Sequence, residues 1–190
     1  GVAVGVCSVL NKKDQIYSSH RCHGHYLAKG GNLNAFMAEM YNKIDGCTRG
    51  KGGSMHLIDI SVGMMGSHGV VGTMIPIAVG AAFALKNINK NNVSVVFFGD
   101  GGADQGVLYE ALNFAALKKL PVIFVCENNC FASFSKASER HAQRDIAIRA
   151  KSFGVPADKV FGQDVLKVNK TMKKAVEKAM PTKEEKADDK

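Results

Sequence analysis

The sequence predicts an α/β protein built on a doubly wound, mostly parallel sheet flanked by helices, and three observations lead there. Residues 93–98 (VSVVFF) form a short, continuous, β-branched and aromatic run, the pattern of a strand buried on both faces. Residues 122–125 (VIFV) repeat it. Between the two, residues 105–119 have helical length and few β-branched residues, with Pro121 just beyond as a stop signal. Strand, helix, strand at this spacing is a right-handed crossover, so the two strands are expected to be parallel neighbours. Their carboxyl ends then share one edge of the sheet, where open α/β sheets bind ligands. Asp100 follows the first strand there and the Asn128-Asn129 pair follows the second.

The remaining elements are expected in this order. Residues 1–10 are an apolar segment read as the end of a helix, 11–14 a turn, 15–19 a strand, and 20–31 a loop rich in His, Arg and Gly. Residues 34–43 are helical, with Phe36, Met37 and Met40 giving an apolar stripe assigned to the core. Residues 46–56 form a glycine-rich loop. Pro76 opens a helix in which Gly80, Ala81, Ala82 and Ala84 leave little side-chain bulk, suited either to a subunit interface or to close packing on its own sheet. Asp104 is a candidate cap for the helix that follows. Residues 136–149 are polar and basic and lead into a short helix ending near Gly154, and 163–180 form the last helix. With 190 residues and 46% hydrophobic content, residues 1–180 are expected to make one domain, and 181–190 a charged, disordered tail.

Composition excludes several function classes. No apolar run reaches the ~20 residues of a membrane span. The net charge of +8 is spread over loops and ends, and the segment around Asp100 is net negative, so nucleic acid is not an expected partner. Five cysteines, an odd number without a secretory leader, argue against a disulfide framework. Cys22 lies among His20, His23 and His25, but these ligands are too close in sequence to wrap one tetrahedral zinc ion.

The chemistry that suits a carboxylate and amide oxygens at a sheet edge is a hard divalent cation such as Mg²⁺, which leaves coordination positions for water and phosphate. Gly99, Gly101 and Gly102 around Asp100 allow a tight turn and a close approach to a bulky ligand. Arg21 is the evident anion ligand upstream, since a guanidinium offers fixed donors to phosphate. Two familiar phosphate motifs do not apply. GCTRGKGGS has one residue too few before Gly50-Lys51 and Gly52 where Ser or Thr is needed, and Asp104 stands at the third glycine position after Gly99 and Gly101.

The combination of GDG, a helix and NN resembles the thiamine-diphosphate pattern. GDGGADQGVLYEALNFAALKKLPVIFVCENN is similar to the alpha subunits of 2-oxo acid and acetoin dehydrogenases, and SSHRCHGHYLAKGG and GCTRGKGGSMHLIDISVGMMGSHGVVG agree in order and spacing. The resemblance covers residues 1–168. It implies thiamine diphosphate and Mg²⁺ as cofactors, with Asp100, Asn129 and the backbone carbonyl of Phe131 as metal ligands; related enzymes often have Tyr at the Phe131 position. It further implies that His20, Arg21, Gly101 and Gly102 contact the cofactor, that Gly69 and Val71 hold its aminopyrimidine ring and bent shape, and that His23 is the catalytic residue of the channel.

As partners the resemblance implies a beta subunit supplying the ring-activating glutamate in an α2β2 assembly, a lipoyl-bearing acyltransferase, and pyruvate, another 2-oxo acid or acetoin as substrate. The compartment would be the bacterial cytoplasm, or the mitochondrial matrix in a eukaryote. His20 tilts the resemblance toward the acetoin branch, whereas GSHGVVG, with His68, is nearer the pyruvate form. The family continues with a strand and a loop carrying Arg and His, so a fragment or a shortened homologue is expected. The alternative function is a cofactor-binding or assembly module derived from the same family.

Overall fold

The structure, a computed structural model, describes residues 1–88 and 91–180. The expected tail, 181–190, lies outside the described residues. Four parallel strands form the central sheet: β1 (Gln15–Ser19), β2 (Met64–His68), β3 (Ser94–Gly99) and β4 (Val122–Glu127), in the order β2-β1-β3-β4. As expected, β3 and β4 pair in parallel, Ser94 opposite Val122 through Gly99 opposite Glu127. The helix between them, α5 (Gly106–Leu117), is the predicted crossover.

Both faces of the sheet are covered, which explains why its strands read as continuous apolar runs. Val95 and Phe97 point to one face, where they meet Ile16, Tyr26 and the helices α1 (Val2–Cys7) and α8 (Val165–Ala179), the latter through Val168 and Met172. Val96 and Phe98 point to the other, against α4 (Met74–Asn87) through Ile75, Ala78 and Ala82, and against α5 through Leu108, Ala111 and Leu112. Alternate residues of one strand thus feed two cores.

Three expectations change. Residues 20–31 are not wholly a loop: His23–Ala28 form α2, with Tyr26 completely buried, because the apolar side of this short segment docks on the sheet. Strand β2 has no counterpart among the elements expected above, since MMGSH lacks β-branched residues; it is held by pairing with β1 and by Ser67 Oγ, which lies within hydrogen-bonding distance of the carbonyls of Met55 and Leu57. In α3 (Leu33–Met40), Phe36 is buried as predicted and Met40 packs against the core, but Met37 is 45% exposed and is not a core residue.

The small-residue helix α4 serves the sheet with one side and leaves the other open. Ala78 and Ala82 are buried, Ile77 and Phe83 are exposed, and a side chain at Gly80 would meet nothing within 4 Å. Beyond β4 come a hairpin of two-residue strands, β5 (Phe131–Ala132) and β6 (Ser135–Lys136), then α6 (Ala137–Arg140) and α7 (Ile146–Ser152). The last of these ends at Gly154 in the left-handed conformation, φ +80°, as its position predicts. Asp164 caps α8 by accepting from the Lys167 amide. Among the described residues, no helix is long and apolar enough to cross a membrane.

Candidate functional site

The chain steps from β1 outward to β2 on one side and returns to β3 on the other, so the sheet reverses direction between β1 and β3. That reversal opens a crevice at the carboxyl ends of the two strands. Ser19, His20 and Arg21 leave β1 there, and Gly99 to Gly102 leave β3. One long groove runs from this crevice along the length of β4, between α5 and α8. Its lining includes His20, Arg21, Val71, Asp100, Gly101, Gly102, Asn129 and Phe131.

Eight of the expected site residues therefore share one groove, and two do not. Gly69 lies outside it, near His56 and Met55. His23, at the start of α2, also lies outside it: its Nε2 is 2.9 Å from both the carbonyl and the hydroxyl of Ser54, and its ring stands edge-on to Phe36 with centroids 5.0 Å apart.

Asp100 is 1% exposed. A carboxylate so far out of water requires a cation or several donors. Here the partner is Arg140, whose Nη2 donates to Oδ2 at 2.5 Å. The other arm of the same guanidinium holds Asp104, and His141 Nε2 meets Asp104 Oδ1 at 2.8 Å. Burial disfavours the charge on Arg140, but hydrogen bonds and attraction from the two aspartates outweigh it and push its pKa up. Asp104 is thus not the cap of α5. A single 3₁₀ turn, Gly102–Asp104, intervenes, Gln105 takes the cap position without a side-chain bond, and the Asp104 carboxylate goes to Arg140 and His141 instead.

Close approach to Asp100 depends on its glycines. A Cβ at Gly101 would stand 2.9 Å from that of Ala132, and one at Gly102 would stand 3.3 Å from that of Phe98 and 3.6 Å from Val71 Cγ1. The Asn pair shapes the opposite wall. Asn128 Oδ1 accepts from the Cys130 amide and Asn129 Oδ1 from the Phe131 amide, both at 2.9 Å, two consecutive side-chain turns that carry the chain through Cys130 at φ +67°. Each amide oxygen retains a lone pair. A carboxylate, amide oxygens and backbone carbonyls suit Mg²⁺, and the buried His20 Nδ1, which has no hydrogen-bond partner, gives the groove an unmet polar demand. The residues present fit a metal and a diphosphate.

Sequence reasoning missed the second layer. Arg149 Nη1 donates to Tyr109 Oη at 2.5 Å, and Tyr109 Oη donates to the Ala103 carbonyl at 2.7 Å, tying α7 to the turn after Asp100. His25 stacks on Phe97 at 3.9 Å, with Nδ1 2.7 Å from Ser18 Oγ and Nε2 3.3 Å from Glu127, so it links the ends of β1 and β4. At Cys126, burial first and the Asp100 carboxylate second push the thiol up to about 12 against the opposing pull of Arg149. Nothing local in the basic segment 136–149 singles out Arg140 or Arg149, and only the folded chain brings them to Asp100 and Ala103.

The glycine-rich loop 46–56 also has a physical account. Its amides already hold an anion, the carboxylate of Glu39, which is fully buried. Oε2 accepts from the amides of Thr48 and Gly50 at 2.8 and 2.9 Å, and Oε1 from those of Gly52 and Gly53 at 2.8 and 3.0 Å. Burial alone would raise this carboxyl, but the hydrogen bonds from Thr48, Gly50 and Gly53 overcome it and hold the pKa at about 2.

Comparison with known proteins identifies the family and the fold. The family described as "Dehydrogenase E1 component" matches residues 1–186. The chain is 45% identical over 178 residues to the alpha subunit of acetoin:2,6-dichlorophenolindophenol oxidoreductase from Bacillus subtilis, covering 94% of this chain and 54% of that protein. It is 43% identical over 176 residues to the pyruvate dehydrogenase E1 component subunit alpha of Rhizobium meliloti, covering 93% and 51%. The chain thus spans about half the length of these curated relatives. A solved structure described as a thiamin diphosphate-dependent enzyme from Mycobacterium smegmatis superposes with a TM-score of 0.64 at 18% identity, over 95% of this chain and 30% of that one, and shares its fold. The strand order, the groove at its point of reversal and the extent of the sequence match lead to one conclusion: the chain belongs to the family of dehydrogenase E1 components.

Proposed function

We propose that this chain is the alpha subunit of a thiamine-diphosphate-dependent dehydrogenase that acts on pyruvate or acetoin and passes the acyl unit to a lipoyl-bearing acyltransferase. The relatives' names favour this over a non-catalytic binding or assembly module. The observation that supports it is that Asp100 and the Asn129–Phe131 segment follow adjacent parallel strands and line one groove with His20 and Arg21. Residues 1–180 would act as one binding domain.

In this reading Asp100, Asn129 and the Phe131 carbonyl hold Mg²⁺. Arg21 and His20, with the close backbone at Gly101 and Gly102, bind the diphosphate. Val71 supports the cofactor from below, with Gly69 on the same turn. His23, fixed by Ser54, handles a proton at the mouth of the channel. When bound, thiamine diphosphate supplies the nucleophilic carbon for attack on the substrate carbonyl. This chain's residues bind and orient it and exclude water; the activating glutamate comes from a beta subunit. The open side of α4, with Ile77, Gly80 and Phe83, is the surface offered for subunit contact. The compartment is the bacterial cytoplasm, or the mitochondrial matrix in a eukaryote.

The test is reconstitution with a matched beta subunit and an artificial electron acceptor. Acetoin is expected to be oxidised faster than pyruvate, and His20→Tyr should retain cofactor binding. Strong pyruvate turnover with negligible acetoin turnover would overturn the branch, and no turnover of either would overturn the function. Alone, the chain should bind thiamine diphosphate no more tightly than the high micromolar range, ~5 kcal/mol or less.

A further inference from the structure

Arg140 occupies the carboxylate that a metal ion would use. Its guanidinium spans Asp100 and Asp104, and His141 closes on Asp104 from the other side. The two carboxylates therefore already share one guanidinium before any ion arrives, with Arg149 one step behind through Tyr109. A bare divalent cation at Asp100 would have to share the carboxylate with Arg140, and one that takes Oδ2 would leave a buried guanidinium without that acceptor. A diphosphate changes this balance, because it delivers the metal to Asp100 and offers oxygens to the guanidinium that the metal releases.

The segment that carries Arg140 is built to let go. It belongs to a helix of four residues, reached through a hairpin whose strands have two residues each. Cys130 and Ser133 hold positive φ, +67° and +52°, and Phe134 is 99% exposed. Arg140 Nε is buried without a partner, so even the closed arrangement leaves a donor unmet. Besides the ties to Asp100 and Asp104, the segment has the Ala132 contact over Gly101, the Cys130 carbonyl's bond to the Ala137 amide, and Arg149 Nη1 3.4 Å from His141 Nδ1.

We infer that Arg140 is a specificity-determining residue of this site, an internal counter-ion that keeps bare divalent cations off Asp100 and yields the carboxylate to a metal arriving with a diphosphate. This rests on the reading of Asp100 as a metal ligand. The experiment is Mn²⁺ binding followed by electron paramagnetic resonance on the full chain, with and without thiamine diphosphate, for wild type, Arg140→Gln and Arg140→Lys, with folding checked by circular dichroism.

Thiamine diphosphate should tighten Mn²⁺ binding at least tenfold in wild type and in Arg140→Lys. Arg140→Gln should bind Mn²⁺ alone at least tenfold more tightly than wild type and gain little more from the diphosphate. If Arg140→Gln binds bare Mn²⁺ no better than wild type while thiamine diphosphate still binds, the inference is wrong and the site stands. Absence of the diphosphate effect in wild type overturns it as well, whatever the variants do. If no protein binds thiamine diphosphate with Mn²⁺, the metal site itself is wrong and the inference falls with it.

Discussion

Glu39 and Asp100 are both carboxylates taken almost wholly out of water, and they are neutralised in opposite ways. Glu39 is held by four backbone amides of a loop in which only the Gly52 amide also reaches a second acceptor, Thr48 Oγ1. Asp100 is held by one long side chain on a short, weakly anchored helix. Backbone donors cannot leave without unfolding the loop, whereas a side chain can swing away as a ligand takes its place. A buried charge is therefore structural or available according to what satisfies it, and burial alone does not distinguish the two.

The largest effect should come from breaking the closed case. Glu39→Ala leaves the amides of Thr48, Gly50 and Gly53 without their acceptor and Gly52 with Thr48 Oγ1 alone, at a cost of about 4 kcal/mol in unfolding free energy. Urea denaturation measures it, and a loss within about 0.5 kcal/mol, as for an ordinary surface change, would remove Glu39 from its structural role. The same contact has a pH dependence of definite sign. Its folded pKa, about 2, lies below the unfolded value of 4.5, so its stabilisation is present above pH 4.5 and is lost as pH falls through about 2. The stability advantage of wild type over Glu39→Gln should shrink steadily across that window, and a constant advantage would contradict the linkage.

The open case should respond in binding. Asp100→Ala is expected to weaken Mg²⁺-dependent thiamine diphosphate binding by about 2 to 4 kcal/mol, because it removes the charged ligand of the cation. Equal affinity in calorimetry would sink the metal assignment. Asn129→Ala, which removes a neutral oxygen and one side-chain turn, should cost about 1 kcal/mol in the same titration. A larger loss for Asn129→Ala than for Asp100→Ala would reverse the roles of the two residues.

The two regions also differ in how much of them could be read from the sequence. The strands β3 and β4, the crossover helix and the placement of Asp100 and Asn129 were legible because each depends on a local run and on chain connectivity. The failure of GCTRGKGGS as a phosphate loop was legible too, from its spacing, but its occupant was not. Glu39 precedes the loop by a helix end and a turn, in a stretch where a charged residue reads as surface. Arg140 was illegible for a related reason: several basic residues stand in 136–149, and only the hairpin after Asn129 selects which one reaches Asp100. Strand β2 was missed because its residues have no β preference and tertiary pairing supplies what propensity lacks.

The contrast between the two carboxylates is tested most directly by site-resolved nuclear magnetic resonance of the full chain during titration with Mn²⁺ and thiamine diphosphate. Paramagnetic broadening should first erase the amide signals of residues 99–102 and 129–131, while those of Thr48, Gly50, Gly52 and Gly53 persist. Broadening that begins at the Glu39 loop, or that is spread evenly over the chain, would contradict the assignment of Asp100 as the available carboxylate and Glu39 as the closed one.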